Sequence, residues 1–295
     1  MMSPLNIRDL DKNGEYPHGY FDDIDNIFET VPLIFDHEED IKRNEEIKNQ
    51  KLEKVVQMLG ISPRYHNNLK DLWNYKIIAL VDDFSFVERN INPSLDPSWS
   101  EIQEALILLL YLTHGLDETG LDIHLSSSNR TREMREESQL EGLFNDKGDK
   151  GLSLFPSIGS LLEQCERNEE PIILVIFTNR IPCLSEKKVP AGQAFNEYMK
   201  DREENLDLLK KLAFNFVVYS EDPNVLSYYR NLHGQFRGMN MREKYLCEKD
   251  EVERIFSGNR SLSKGDWLVK ILLGGINRHI NFIDAVPRTC SCVIS

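Results

Sequence analysis

Two adjacent carboxylates, Asp82 and Asp83, stand at the end of an unbroken apolar run, Ile77 to Val81. A second run, Ile172 to Phe177, ends at Thr178-Asn179-Arg180. Acids and hydroxyls delivered by the ends of buried strands can do two kinds of chemistry. Their hard oxygens can hold Mg²⁺, or one carboxylate can act as a nucleophile in phosphoryl transfer. In the second case the chain is a metal-dependent phosphohydrolase-like enzyme, with Asp82 as nucleophile and Thr178 supplied by another strand. Such an enzyme wants a further acid two positions on to manage the leaving-group proton. That position holds Phe84, so this reading is the alternative rather than the favoured one.

A third reactive group closes the chain. Cys292-Val293-Ile294-Ser295 is Cys, two aliphatics and Ser, the C-a-a-X prenylation signal, in which a final Ser selects farnesyl. One lipid chain binds only marginally, since each buried CH₂ contributes about 0.8 kcal/mol, so a second signal is expected. No polybasic run precedes the tail, where only Arg278, His279 and Arg288 are cationic or nearly so. Cys290 is therefore the candidate for palmitoylation. Prenylation happens in eukaryotic cytosol, which sets the expected address: the cytosolic face of a eukaryotic membrane. The chain would be encoded there or delivered as a secreted effector by an intracellular bacterium. The tail resembles those of Ras-type GTPases, but the chain has no G-x-x-x-x-G-K-[ST] phosphate loop.

Other chemistries find no support. The seven histidines fall in no zinc-binding spacing, and no G-x-S-x-G elbow occurs. Five cysteines without a C-x-x-C pair do not suit a disulfide framework. A net charge of -14 opposes nucleic-acid binding and plain electrostatic attachment to anionic lipid. The N-terminus lacks the basic and apolar segments of a secretory signal. Ala105 to Leu112, the longest apolar stretch, is far short of the roughly 20 residues a membrane span requires.

The elements that must position these groups follow from periodicity. Charges interleaved with Ile41, Ile47, Leu52, Val55 and Leu59 predict a solvated helix over 36–60, stopped by Gly60 and Pro63. Ser98-Trp99-Ser100-Glu101 reads as a capping box opening a helix that is apolar nearly all round and ends before Gly115. Leu121 to Leu125 alternates and predicts a strand, and the charged stretch 130–142 predicts a helix. Further helices are expected over 157–166, 194–212, 224–232, 248–256 and 267–280, with strands over 171–177 and 214–219. Strand and helix alternate, so the fold class is α/β: a doubly wound, mostly parallel sheet with helices on both faces. The organisation is an N-terminal extension with a charged helix (1–69), the α/β domain (70–285) and a flexible prenylation tail (286–295).

Within the domain, Trp73 to Asp83, a Trp-led helix after a loop, and Gly120-Leu121-Asp122-Ile123-His124-Leu125 follow one another in an order that resembles an intracellular von Willebrand factor A domain. Ile172 to Arg180 sits where that family has a strand ending in T-D-G, and Ser263 to Gly274 resembles a further family segment. The resemblance covers roughly residues 70–285. It implies a von Willebrand A, Rossmann-like fold with a metal ion-dependent adhesion site, in which a D-x-S-x-S loop, a Thr and the Asp of T-D-G hold Mg²⁺ and a partner's carboxylate completes the shell.

This sequence departs from that pattern. With Asp82 as the family Asp, Phe84 and Phe86 take the serine positions; with the register slipped by one, Asp83 and Ser85 match and Val87 does not. Asn179 replaces the Asp of T-D-G, leaving Thr178 and Ser153 as the retained oxygens. The resemblance therefore implies a degenerate site at Asp82, Asp83, Ser85, Ser153 and Thr178, with no cofactor expected. On this reading the acids cap a loop or helix while Phe84 and Phe86 pack over the closed site. The function that follows is a non-enzymatic module that binds a protein partner at a membrane surface.

Overall fold

The computed structural model describes residues 39–83, 97–116, 120–127, 130–143, 154–167, 171–182, 195–197, 199–200, 211–236, 238–277 and 279–280. The expected tail, with Cys290 and Cys292, lies outside them, as do Phe84, Ser85, Phe86, Val87 and Ser153. Strands β1 (Lys76–Val81), β2 (Leu121–Leu125), β3 (Arg130–Met134), β4 (Ile172–Thr178), β5 (Leu212–Val218) and β6 (Met239–Glu243) form one sheet in the order β3-β2-β1-β4-β5-β6. Every pairing is parallel except β2 with β3. Helices α1 (Glu39–Met58), α2 (Pro97–Leu116), α3 (Glu137–Leu143), α4 (Leu154–Arg167), α5 (Pro223–Gln235), α6 (Tyr245–Ile255) and α7 (Lys264–Gly274) surround it.

Alternate strand residues feed two separate cores, as a pleated sheet buried on both faces requires. Ile77, Ala79, Val81, Ile173, Val175 and Phe177 pack toward α1, α2 and α7. Ile78, Leu80, Leu174, Ile176, Phe214 and Phe216 pack toward α4 and α5, where Ile158, Leu162 and Tyr229 meet them. This is the expected doubly wound α/β architecture. Burying each such side chain contributes about 1.5–3 kcal/mol before conformational entropy is subtracted, so the central strands are the most resistant part of the fold.

Three local expectations are corrected. Residues 130–134 form an antiparallel edge strand where the charge pattern predicts a helix, and helix α3 begins only at Glu137. β6 was not expected at all. Its Asn240, with Asn215 on β5, is buried and donates to carbonyls at the end of α7: Asn240 Nδ2 to Lys270 O at 3.2 Å and Asn215 Nδ2 to Leu272 O at 3.5 Å. Gly115 does not end its helix, which continues to Leu116. A Cβ there would stand 2.9 Å from Val55 Cγ2, so the glycine lets α1 approach α2.

The segment before β1 is tied to the sheet domain. Leu52, Val55, Val56, Leu59, Ile61, Tyr65 and Leu69 join the same core as β1 and α7. Ser263 caps α7, its hydroxyl accepting from Asp266 N–H. The Asp266 carboxylate then takes Ser62 N–H at 2.7 Å, the Ser62 hydroxyl and Arg64 Nη2 at 3.0 Å. An acid in the first turn of a helix is favoured by the dipole, and here it also clamps the incoming chain.

Candidate functional site at the carboxyl edge of the sheet

The chain leaves β1 toward β2 on one side, and β4 lies against its other side, so the carboxyl ends of β1 and β4 flank the switch point where doubly wound sheets hold their ligands. Six side chains meet there. Asp82 and Asp83 follow β1, Ser126 and Ser127 follow β2, and Thr178 ends β4 with Arg180 just beyond. Both acids and all three hydroxyls are buried.

Asp82 is fully paired. Arg180 donates from Nε to Oδ2 at 3.0 Å and from Nη2 to Oδ1 at 2.8 Å, a two-pronged fit of guanidinium to carboxylate. Thr178 Oγ1 donates to Oδ2 at 3.0 Å, and Ser126 Oγ lies 3.5 Å from Oδ1. The Asp82 side chain is fully covered while Arg180 keeps 21% of its side-chain surface. Arg180 is fixed in turn by Tyr229, whose hydroxyl donates to the Arg180 carbonyl at 2.9 Å. Burial holds that phenol well above its ordinary range, so it stays a neutral donor.

Asp83 points toward the end of β2. Its Oδ1 accepts from Ser127 N–H at 2.8 Å and from Ser126 Oγ at 3.0 Å, and its Oδ2 takes the Ser127 hydroxyl. Burial pushes this carboxyl above its ordinary range. The Ser127 and Ser126 bonds oppose the rise, and the neighbouring Asp82 adds to it. No cation touches Asp83 among the described residues.

The structure thus brings Asp82, Asp83 and Thr178 together and adds Ser126, Ser127 and Arg180, to which the sequence analysis gave no role. The signal for the serines was present: they directly follow Leu121–Leu125, as Asp82 follows β1 and Thr178 closes β4. The expectation that the acids merely cap is half corrected, since Asp83 does hold the turn after β2 but Asp82 is an ion-pair partner. Among the described residues no three His, Cys, Asp or Glu side chains gather to hold a metal. Magnesium does not fit the arrangement as folded, because the guanidinium takes both oxygens of Asp82 and the hydroxyls are turned onto the two carboxylates.

A second polar cluster lies at the far end of β6. Arg242 Nη1 stands 3.5 Å from Glu248 Oε2, and Glu243 N–H donates to Glu248 Oε1 at 3.2 Å. Burial raises the Glu248 carboxyl against the lowering effect of Arg242 and Lys270. The cluster fixes the start of α6 on the sheet.

No family model and no curated protein matches the chain. Among solved structures, the crystal structure of the human COPII-coat protein Sec24c aligns with it at a TM-score of 0.36 and 11% identity, over 68% of this chain and 32% of that one. The chain spans about a third of the length of that protein.

Proposed function

We propose that this chain is a non-enzymatic protein-binding module built on a von Willebrand A-like sheet with a degenerate metal site. The observation that carries the reading is the saturation of Asp82 by Arg180 and Thr178. A carboxylate nucleophile needs an oxygen directed at the reacting phosphorus, and an adhesion-type site needs one directed at a metal. Asp82 offers neither, because its lone pairs are spent on a guanidinium and a hydroxyl. What is left at the switch point is a shaped, charge-paired surface, with Arg180 at its solvent side.

The reading includes an address. Where Ser295 is the chain's last residue, Cys292 carries a prenyl group and Cys290 a palmitoyl group, and the module works on the cytosolic face of a eukaryotic membrane. Among the described residues no helix is long and apolar enough to cross a membrane. Partner binding is expected to be unaffected by chelators.

The experiment that tests the non-enzymatic reading is hydrolysis of p-nitrophenyl phosphate with Mg²⁺ present. Wild type and Asp82→Asn are expected to give the same background rate. Turnover by wild type that disappears in Asp82→Asn would establish the phosphohydrolase alternative instead.

A further inference from the structure

We propose that a pocket at the amino edge of the sheet, opposite the rim formed by Asp82, Asp83 and Thr178, binds a zwitterionic small molecule: an α-amino acid with an apolar side chain. This inference concerns a second site and is independent of the protein-binding reading.

The pocket has a volume of about 290 Å³ and opens where β1 starts ahead of β2. Ile78 pairs with Asp122, so Lys76 lies level with Gly120, which brings no side chain to the gap. Such a volume is at the lower end of small-molecule sites, which sets the size of the occupant. Strand alternation then divides the lining by chemistry. Ile77 points to the α2 side of the sheet, where Tyr75 and Leu116 pack on the same core. Lys76 and Asp122 point to the other side, with Glu133 and Arg135 beside them. One half of the pocket is apolar and the other carries two cations and two acids.

Asp122 and Glu133 are direct cross-strand partners of β2 and β3. Like charges so placed repel one another, their Cβ atoms being about 5 Å apart. Lys76 Nζ meets one oxygen of Asp122, Oδ2 at 2.7 Å. Arg135 meets one oxygen of Glu133, Oε1, from Nε at 2.8 Å and from Nη2 at 2.6 Å. Among the described residues Asp122 Oδ1 and Glu133 Oε2 take no donor. An ammonium placed between them relieves the repulsion with charge-assisted bonds. The two cations serve a carboxylate. They keep 42% and 64% of their side-chain surface, and surface ion pairs of this kind cost little to exchange. The four charges sum to zero, so the pocket favours a ligand of both signs over a bare anion or a metal ion. The ligand's side chain then falls on Tyr75, Ile77 and Leu116.

The test is saturation-transfer NMR on the full chain, with L-leucine titrated as the probe. Wild type is expected to bind it saturably. Asp122→Asn and Arg135→Gln are each expected to raise the Kd at least about tenfold. Two altered probes, N-acetyl-L-leucine without the ammonium and L-leucinamide without the carboxylate, are expected to bind wild type at least about tenfold more weakly. No saturable signal from L-leucine with folded wild type overturns the proposal. Equal binding of all three probes also overturns it, as does binding that neither variant weakens. Should Asp122→Asn fail to fold, Arg135→Gln, whose side chain is mostly exposed, carries the same comparison.

Discussion

At the scale of single residues, the rim is a set of oxygens competing for few positive charges. Asp82 wins the guanidinium and Asp83 is left with neutral donors. A carboxyl raised by burial binds its proton more tightly in the folded chain than in the unfolded one. As pH climbs past the ordinary carboxylate range the unfolded chain releases that proton first, so Asp83 contributes stability at low pH that is lost as pH rises toward its folded value. Asp83→Asn does not titrate. Its stability relative to wild type is therefore expected to improve from about pH 4 to about pH 7, measured as the difference between urea midpoints. A constant difference would mean that Asp83 is not perturbed. Asp82 and Thr178 were legible in the sequence because apolar runs end on them. Arg180 was not, since nothing in a linear reading says that a cation beyond one strand folds back onto the acid of its neighbour.

At the scale of elements, position is set by joints rather than by propensity. α7 is the best example. It enters with a Ser263 cap, and its first-turn Asp266 binds Ser62 and Arg64 from the segment before β1. A Cβ on Gly265 would stand 2.7 Å from Ile61 Cγ1 and collide with the Leu59 carbonyl, so only glycine admits that segment so closely. Asp266→Ala is expected to cost about 3 kcal/mol in chemical denaturation, because it removes the ion pair with Arg64 and the acceptor of two Ser62 donors. Arg64→Ala alone is expected to cost less, since the Ser62 bonds survive. Equal losses would show that the ion pair, not the clamp, carries the joint. β3 escaped the sequence reading because its residues, Arg-Thr-Arg-Glu-Met, carry helix-tolerant charges and gain strand character only from pairing with β2. β6 escaped because Asn240 interrupts its apolar pattern for the sake of the α7 carbonyls.

At the scale of the whole molecule, the sheet was legible because β1, β4 and β5 are buried along nearly their full length, β1 and β4 reading as apolar runs and β5 as one broken only at Asn215. The proposed address is a separate matter, resting on Cys292-Val293-Ile294-Ser295 alone. Cys292→Ser is expected to move the protein from the membrane to the soluble fraction of eukaryotic cells. Wild type found soluble in the same cells would remove the anchor from the account and leave the rim untouched. The rim's own claim is that a built-in ion pair has replaced chemistry at the switch point. The most direct measurement is a double-mutant cycle on Asp82→Asn and Arg180→Gln, by urea denaturation with chelator present. The account predicts a coupling of about 2 kcal/mol or more with chelator present. Coupling near zero, or wild-type stability that rises with Mg²⁺, would contradict it.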